Sequence, residues 1–133
     1  MIVLDASAAL EWLLSTPLGV DVAERISDAD ETLHAPHLLD LEVAQVLRRY
    51  QQRGEIDAAR GSEGLAILQA LDLERYPHDV LLPRIWQLRE VATAYDAAYL
   101  ALAEALAAPL LTADAKLART RGHRARVELL RSA

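Results

Sequence analysis

The chain has 133 residues, of which 53% are apolar and none is cysteine, and its net charge is −6. This length suits a single domain, expected to span residues 1–133, and the lack of cysteine excludes disulfide scaffolds and thiol catalysis. The apolar run at residues 97–103 is far shorter than the roughly 20 residues of a membrane span. The first residues lack the basic segment of a secretory signal. We therefore expect a cytoplasmic protein with no membrane partner.

The negative charge opposes long-range attraction to nucleic acid, but the distribution of the basic residues does not. Thirteen of the fourteen basic residues are arginine, which suits bidentate contact with phosphate. Nine of the fourteen basic residues form two groups: Arg48, Arg49 and Arg53, and then Lys116, Arg119, Arg121, Arg124, Arg126 and Arg131. Each group can contact phosphate or be a solvated helix face, and the pattern leaves both interpretations open.

Short apolar segments alternate with helical periodicity along the chain. Residues 1–4 are an apolar run that ends before Asp5, which predicts a buried strand. Pro17 and Gly19 are expected to separate two helices, and Gly54 to end a third. Strands are predicted at residues 1–4, 32–35, 73–76, 110–112 and 127–130. Helices are predicted at residues 6–14, 20–29, 37–53, 56–71, 80–91, 96–107 and 115–119. This alternation predicts an α/β fold in which helices cover both faces of a parallel sheet.

Three acids lie where predicted strands end or where a buried helix begins. Asp5 follows the first strand, Asp114 follows the strand at 110–112, and Asp96 opens an almost wholly apolar helix. Sites in parallel sheets form beyond the carboxyl ends of the strands, so these acids can converge. Each can instead be an ordinary helix N-cap, and both interpretations stay open. Ser7 has the same alternatives, of which capping is favoured, and Thr112 can orient a neighbouring carboxylate.

A fourth acid cannot be selected from the pattern alone. Glu42 and Asp40 lie on opposite shoulders of the apolar stripe in the helix predicted at 37–53. Helical position does not distinguish them, and either can be a plain surface acid.

Converging carboxylates repel one another and so raise one another's pKa. A bound divalent cation removes this repulsion. Carboxylate and water ligands select Mg²⁺ or Mn²⁺, ions that assist phosphate displacement. The histidines lack zinc-site spacing, and the chain has neither of the common glycine-rich phosphate loops. The residues therefore favour metal-assisted phosphate chemistry over the other routes.

Four segments, at residues 2–7, 39–47, 95–103 and 110–114, together resemble the PIN-domain nucleases, and within them the VapC-type toxins. The resemblance covers essentially the whole chain. It implies a three-layer α/β/α sandwich with a short central parallel sheet. It also implies that four acids hold one or two Mg²⁺ or Mn²⁺ ions, with Ser7 and Thr112 as supporting polar residues. Those acids are Asp5, Glu42, Asp96 and Asp114, so the resemblance favours Glu42 over Asp40.

The same resemblance implies an activity and partners. The expected activity is metal-dependent endonucleolytic cleavage of RNA, often tRNA or rRNA, which inhibits translation. The expected partners are the RNA substrate, a cognate VapB-type antitoxin and a second copy of the chain in a homodimer.

Two alternatives belong to other functional classes. A catalytically idle module that only binds a protein partner is compatible with the apolar helices and the negative charge. A phosphatase with an aspartate nucleophile would want a second acid two residues after Asp5, where this chain has Ser7.

Overall fold

The computed structural model describes residues 1–131, which contain one five-stranded parallel sheet. Its strands are β1 (Ile2–Leu4), β2 (Leu33–Pro36), β3 (Leu73–Tyr76), β4 (Leu110–Thr112) and β5 (Val127–Leu129). The spatial order is β3-β2-β1-β4-β5, and all neighbours are parallel. The chain winds outward from β1 in one direction and later returns to the other side of it. The topological switch point therefore lies between β1 and β4, where sites of such sheets form.

Helices cover both faces of this sheet. They are α1 (Ala6–Leu13), α2 (Pro17–Ile26), α3 (Leu38–Gln52), α4 (Ala58–Ala70), α5 (Leu82–Gln87), α6 (Ala94–Leu106) and α7 (Ala115–Ala118), with a 3-10 turn at Asp79–Leu81. Right-handed crossovers place α1 to α4 on one face and α5 to α7 on the other. Accordingly, α1 packs on α2 and α3, and α6 packs on β1, β2 and β4. The predicted three-layer α/β/α sandwich is confirmed.

The core covers both faces of the sheet, and its longest buried stretch lies where β1 meets α6. All three residues of β1 are buried, and so are seven consecutive residues of α6, from Ala97 to Ala103. A helix that is apolar on every side must be enclosed by protein, and α6 is enclosed as predicted. Among residues 1–131, no helix combines the length and the apolar character needed to cross a bilayer.

Two predicted helices differ from those observed by more than two residues at an end. The second helix spans Pro17–Ile26 rather than residues 20–29. It begins earlier because Thr16 caps it and proline suits the first helical position, and it ends at the C-cap Ser27. Gly19 lies inside this helix, where a Cβ atom would collide with the carbonyl oxygen of Glu11. The helix predicted at 80–91 is instead the 3-10 turn followed by the short α5, which has Pro83 in its first turn.

Candidate active site

Asp5 follows the central strand β1 directly, and it is only 5% exposed. Its Oδ1 accepts hydrogen bonds from the Ser7 hydroxyl at 2.7 Å and from the Ala8 N–H at 2.9 Å, and its Oδ2 accepts one from Thr112. The bond from Ala8 makes Asp5 the N-cap of α1, so this carboxylate caps a helix and also lies at the switch point. Burial raises the pKa of Asp5, the three hydrogen bonds lower it and nearby Asp114 raises it, and the net effect is a raised pKa.

Ser7 and Thr112 join Asp5 to the segment that leaves β4. The Ser7 hydroxyl accepts a hydrogen bond from the Ala113 N–H at 2.9 Å, and the Thr112 hydroxyl accepts one from the Asp114 N–H at 3.0 Å. Thr112 is completely buried. The capping role favoured for Ser7 is wrong, because Asp5 caps α1 and Ser7 holds Asp5 instead. The two hydroxyls thus fix the Asp5 carboxylate relative to Asp114.

Asp96 lies in the first turn of α6 but does not cap it. Thr93 is the N-cap, and its side chain accepts a hydrogen bond from the Asp96 N–H at 3.1 Å. The capping interpretation of Asp96 is therefore wrong. Burial raises the pKa of Asp96, the Asp114 charge raises it further, and Lys116 lowers it. The sequence pattern grouped Lys116 with the C-terminal arginines and did not reveal its place beside this acid.

The structure distinguishes Glu42 from Asp40. The Arg75 guanidinium donates to both oxygens of Asp40, at 2.7 and 3.1 Å, in a bidentate ion pair. Glu42 Oε1 accepts a hydrogen bond from the Tyr99 hydroxyl at 2.6 Å. Burial raises the pKa of Glu42, the Tyr99 bond lowers it, and the charges of Asp5 and Asp96 raise it. Glu42 is therefore the acid of α3 that neighbours the other carboxylates.

Tyr99 is a residue of this cluster that the sequence pattern did not single out. It belongs to the buried stretch of α6 and is 2% exposed. A buried tyrosine hydroxyl usually requires a hydrogen-bond partner, and that rule was the available signal. The apolar periodicity of α6 obscured it, because Tyr99 counts there simply as one more core residue.

Electrostatic coupling links the four acids in a closed ring. Asp114 is the N-cap of α7, and it raises the pKa of both Asp5 and Asp96. Asp5 and Asp96 in turn both raise the pKa of Glu42. The four side chains come from the ends of two neighbouring strands and from two helices on opposite faces of the sheet. The fold therefore concentrates negative charge at the switch point.

The donors of this ring have the chemistry that hard divalent cations prefer. Within residues 1–131, no group of three or more Asp, Glu or His side chains is arranged so that it could hold a metal ion. Mg²⁺ in proteins commonly uses one or two carboxylates and keeps several water ligands. One or two carboxylates of the ring, together with water, match this donor set, and a bound cation would relieve the repulsion that raises the pKa values.

A groove of about 330 Å³ lies beside Glu42. Its lining includes Tyr95, which is 65% exposed, and Leu41, which is 76% exposed. Arg49, from the first basic group, also lines it. The groove thus offers an aromatic ring and a guanidinium next to Glu42.

The two basic groups of the sequence have different surroundings. Arg48 and Arg49 are exposed on the second half of α3, and Arg53 is exposed at its C-cap. In the second group, Arg124 approaches Glu104 at 3.8 Å and Arg126 approaches Glu128 at 4.0 Å. Part of the second group is therefore engaged in ion pairs.

Comparison with known proteins gives a consistent family. Residues 2–123 match the family model described as PIN domain. Ribonuclease VapC12 of Mycobacterium tuberculosis is 43% identical over 130 residues, which cover 98% of this chain and 99% of the relative. Ribonuclease VapC9 of the same organism is 48% identical over 120 residues, with coverage of 90% and 91%. The crystal structure of PAE2754 from Pyrobaculum aerophilum has a TM-score of 0.65 at 26% identity, covering 93% of this chain and 87% of that one.

Proposed function

Because the chain belongs to the PIN-domain family, and within it to the VapC type, we propose that it is a metal-dependent endoribonuclease and the toxin of a toxin–antitoxin pair. The observation that carries this proposal is the ring of coupled carboxylates at the switch point. In the proposal, the catalytic and cation-holding residues are Asp5, Glu42, Asp96 and Asp114. The cation is Mg²⁺, with Mn²⁺ as the alternative.

The residues of the site would have two kinds of role: the hydroxyl groups orient the acids, and the acids supply negative charge. When bound, the cation supplies activation of water and neutralisation of charge at the phosphodiester. Asp5 is the most rigidly held acid, since it accepts three hydrogen bonds and is almost completely buried. Ser7 and Thr112 keep its two oxygens oriented. Asp96 on α6 and Glu42 on α3 add two further negative charges to the same site.

The groove beside Glu42 supports a single-stranded substrate. Proteins that bind single strands combine a positive groove with exposed aromatic side chains on which bases stack. Tyr95 and Arg49 supply these two elements in the groove. We propose that RNA passes along it to the acids, that the target is tRNA or rRNA, and that its cleavage inhibits translation.

The family also supports proposals about partners and location. We propose that a VapB-type antitoxin neutralises the protein and that the active unit is a homodimer. We further propose that the protein acts in the cytoplasm, where its RNA substrates would be found.

The test is cleavage of labelled total RNA by purified protein with Mg²⁺ or Mn²⁺, beside an EDTA reaction. Asp96→Asn is the inactive variant, and Asp40→Asn is its matched control, because Asp40 is an acid paired with Arg75 outside the ring. Discrete fragments are expected from the wild type and Asp40→Asn only, and EDTA should abolish them. Equal cleavage by Asp96→Asn would contradict the assignment of the site. A wild-type protein that neither cleaves RNA nor binds the cation would instead favour the idle binding module.

A further inference from the structure

Tyr99 connects the two helices that carry Asp96 and Glu42. It lies one turn after Asp96 on α6, and its hydroxyl donates to Glu42 Oε1 on α3 at 2.6 Å. These helices lie on opposite faces of the sheet, so this bond spans the switch point. Tyr99 therefore joins the helices that bear two of the four acids.

The Tyr99 ring cannot move easily. The side chain is 2% exposed, and its neighbours along α6 are buried as well. A ring packed in this way holds its hydroxyl at a fixed point, whereas a glutamate on an α-helix samples several side-chain rotamers. The hydrogen bond to this fixed hydroxyl therefore restricts the Glu42 carboxylate to fewer side-chain rotamers.

We infer that Tyr99 is the positioning residue of Glu42. The Tyr99 hydroxyl binds one oxygen of the Glu42 carboxylate and leaves the other oxygen available to the cation. The inference rests on the proposed function, because it assigns a role in the same metal site. Partners that hydrogen-bond to metal ligands fix the orientation of those ligands, and their loss commonly costs 10- to 100-fold in metal affinity or activity. Tyr99 has the geometry of such a partner without reaching the reacting atoms itself.

Tyr99→Phe tests the inference, because it removes the hydroxyl and keeps the buried ring. Mn²⁺ affinity, measured by isothermal titration calorimetry, is expected to fall about 10- to 100-fold, and RNA cleavage is expected to fall with it. Tyr50→Phe is the control: Tyr50 lies on the same helix as Glu42, and within residues 1–131 no hydrogen bond from its hydroxyl is found. This control should bind Mn²⁺ as the wild type does.

A double-mutant cycle separates positioning from a general structural effect. In a Glu42→Ala background the hydroxyl has no carboxylate to hold, so adding Tyr99→Phe should not weaken Mn²⁺ binding further. Additive losses would overturn the inference, and so would wild-type affinity in Tyr99→Phe. If Tyr99→Phe does not fold by circular dichroism, a Mg²⁺ titration of the wild type decides, since the NMR signals of the Tyr99 ring should shift with cation binding. Unshifted signals in a protein that binds Mg²⁺ would overturn the inference.

The outcomes distinguish this inference from the proposed function. A wild-type protein that binds Mn²⁺ and cleaves RNA, together with an unaffected Tyr99→Phe variant, removes the role of Tyr99 and leaves the function intact. A wild-type protein that neither binds Mn²⁺ nor cleaves RNA overturns both.

Discussion

Replacing Asp96 with asparagine should affect activity and stability in opposite directions. The variant loses a charge of the carboxylate ring, so RNA cleavage should be abolished. It also loses the repulsion and desolvation that raise the pKa of Asp96, so the cation-free protein should become more stable. Asparagine keeps the shape of the side chain, and among residues 1–131 no hydrogen bond to the Asp96 carboxylate is found that the change would break.

The size and the pH dependence of this gain follow from the position of Asp96. Substitutions that relieve unfavourable charge commonly add about 0.5–2 kcal/mol of stability, so for this partly buried carboxylate we expect a gain of about 1 kcal/mol, or roughly 3–5 °C in Tm. The pKa of Asp96 in the folded protein lies above its ordinary value of 3.8. The cost of the charge is therefore absent below that value and grows as the pH rises through the raised pKa. The gain should be complete near neutral pH and should vanish in acid.

Urea denaturation with EDTA, and then with saturating Mg²⁺, measures both effects. A ligand present at 100 times its Kd stabilises the folded state by about 2.7 kcal/mol. Saturating Mg²⁺ should therefore make the wild type more stable than Asp96→Asn, which reverses the order of their stabilities in EDTA. Asp40→Asn should show no gain in EDTA, because Asp40 is held by Arg75 rather than repelled. An Asp96→Asn protein that is less stable than the wild type in EDTA near neutral pH would refute the reasoning about the ring.

Three further variants test other parts of the structure. Thr112→Val removes the hydroxyl that holds Asp5 and the Asp114 N–H, so we expect a loss of about 1–3 kcal/mol of stability together with most of the cleavage; wild-type values for both would contradict this. Arg84→Met leaves Glu104, 5% exposed in its side chain, without the bidentate partner that lowers its pKa. The Arg84→Met variant should lose about 2–4 kcal/mol of folding stability near neutral pH, and its RNA cleavage should be unchanged. Because that pKa is lowered, the difference from the wild type should shrink as the pH falls through the range in which Glu104 titrates, and a pH-independent loss measured by urea denaturation would count against it. Tyr95→Ala should leave the Tm unchanged and weaken binding of a single-stranded RNA by about 1–3 kcal/mol if one base stacks there, which fluorescence anisotropy can measure; unchanged affinity would exclude stacking on this ring.

The sheet and most helices could be predicted because their signals are local. The apolar run before Asp5 and the uniformly apolar segment of α6 each determine burial without reference to the rest of the chain. The predicted helix boundaries at residues 17–20 and 80–91 are wrong, and both segments contain a proline. Pro17 begins a helix instead of separating two, and Pro83 begins a shorter one than its surroundings indicate. Proline restricts the backbone without determining whether it ends one element or starts the next.

The assignment of individual site side chains required tertiary information. Glu42 and Asp40 are equivalent on a helical projection, and they differ only because Arg75 is near one and Tyr99 is near the other. Asp96 at the start of a helix has the sequence signature of a cap, but Thr93, three residues earlier, takes that role. Hydrogen-bond partners of this kind are distant in sequence or compete locally, so composition and periodicity do not contain them.

The ring of acids explains why the site must be held by neutral donors. Four carboxylates that repel one another would turn toward solvent if only their own charges acted on them. Hydroxyl groups from Ser7, Thr112 and Tyr99 hold two of them in place, and a hydroxyl can donate to a carboxylate without neutralising it. An arginine in their place would lower the pKa of the acids but would also cancel the charge that attracts a cation. Within the acid ring, the neutral hydroxyls therefore preserve the negative potential at the switch point, whereas Arg75 neutralises Asp40 outside it.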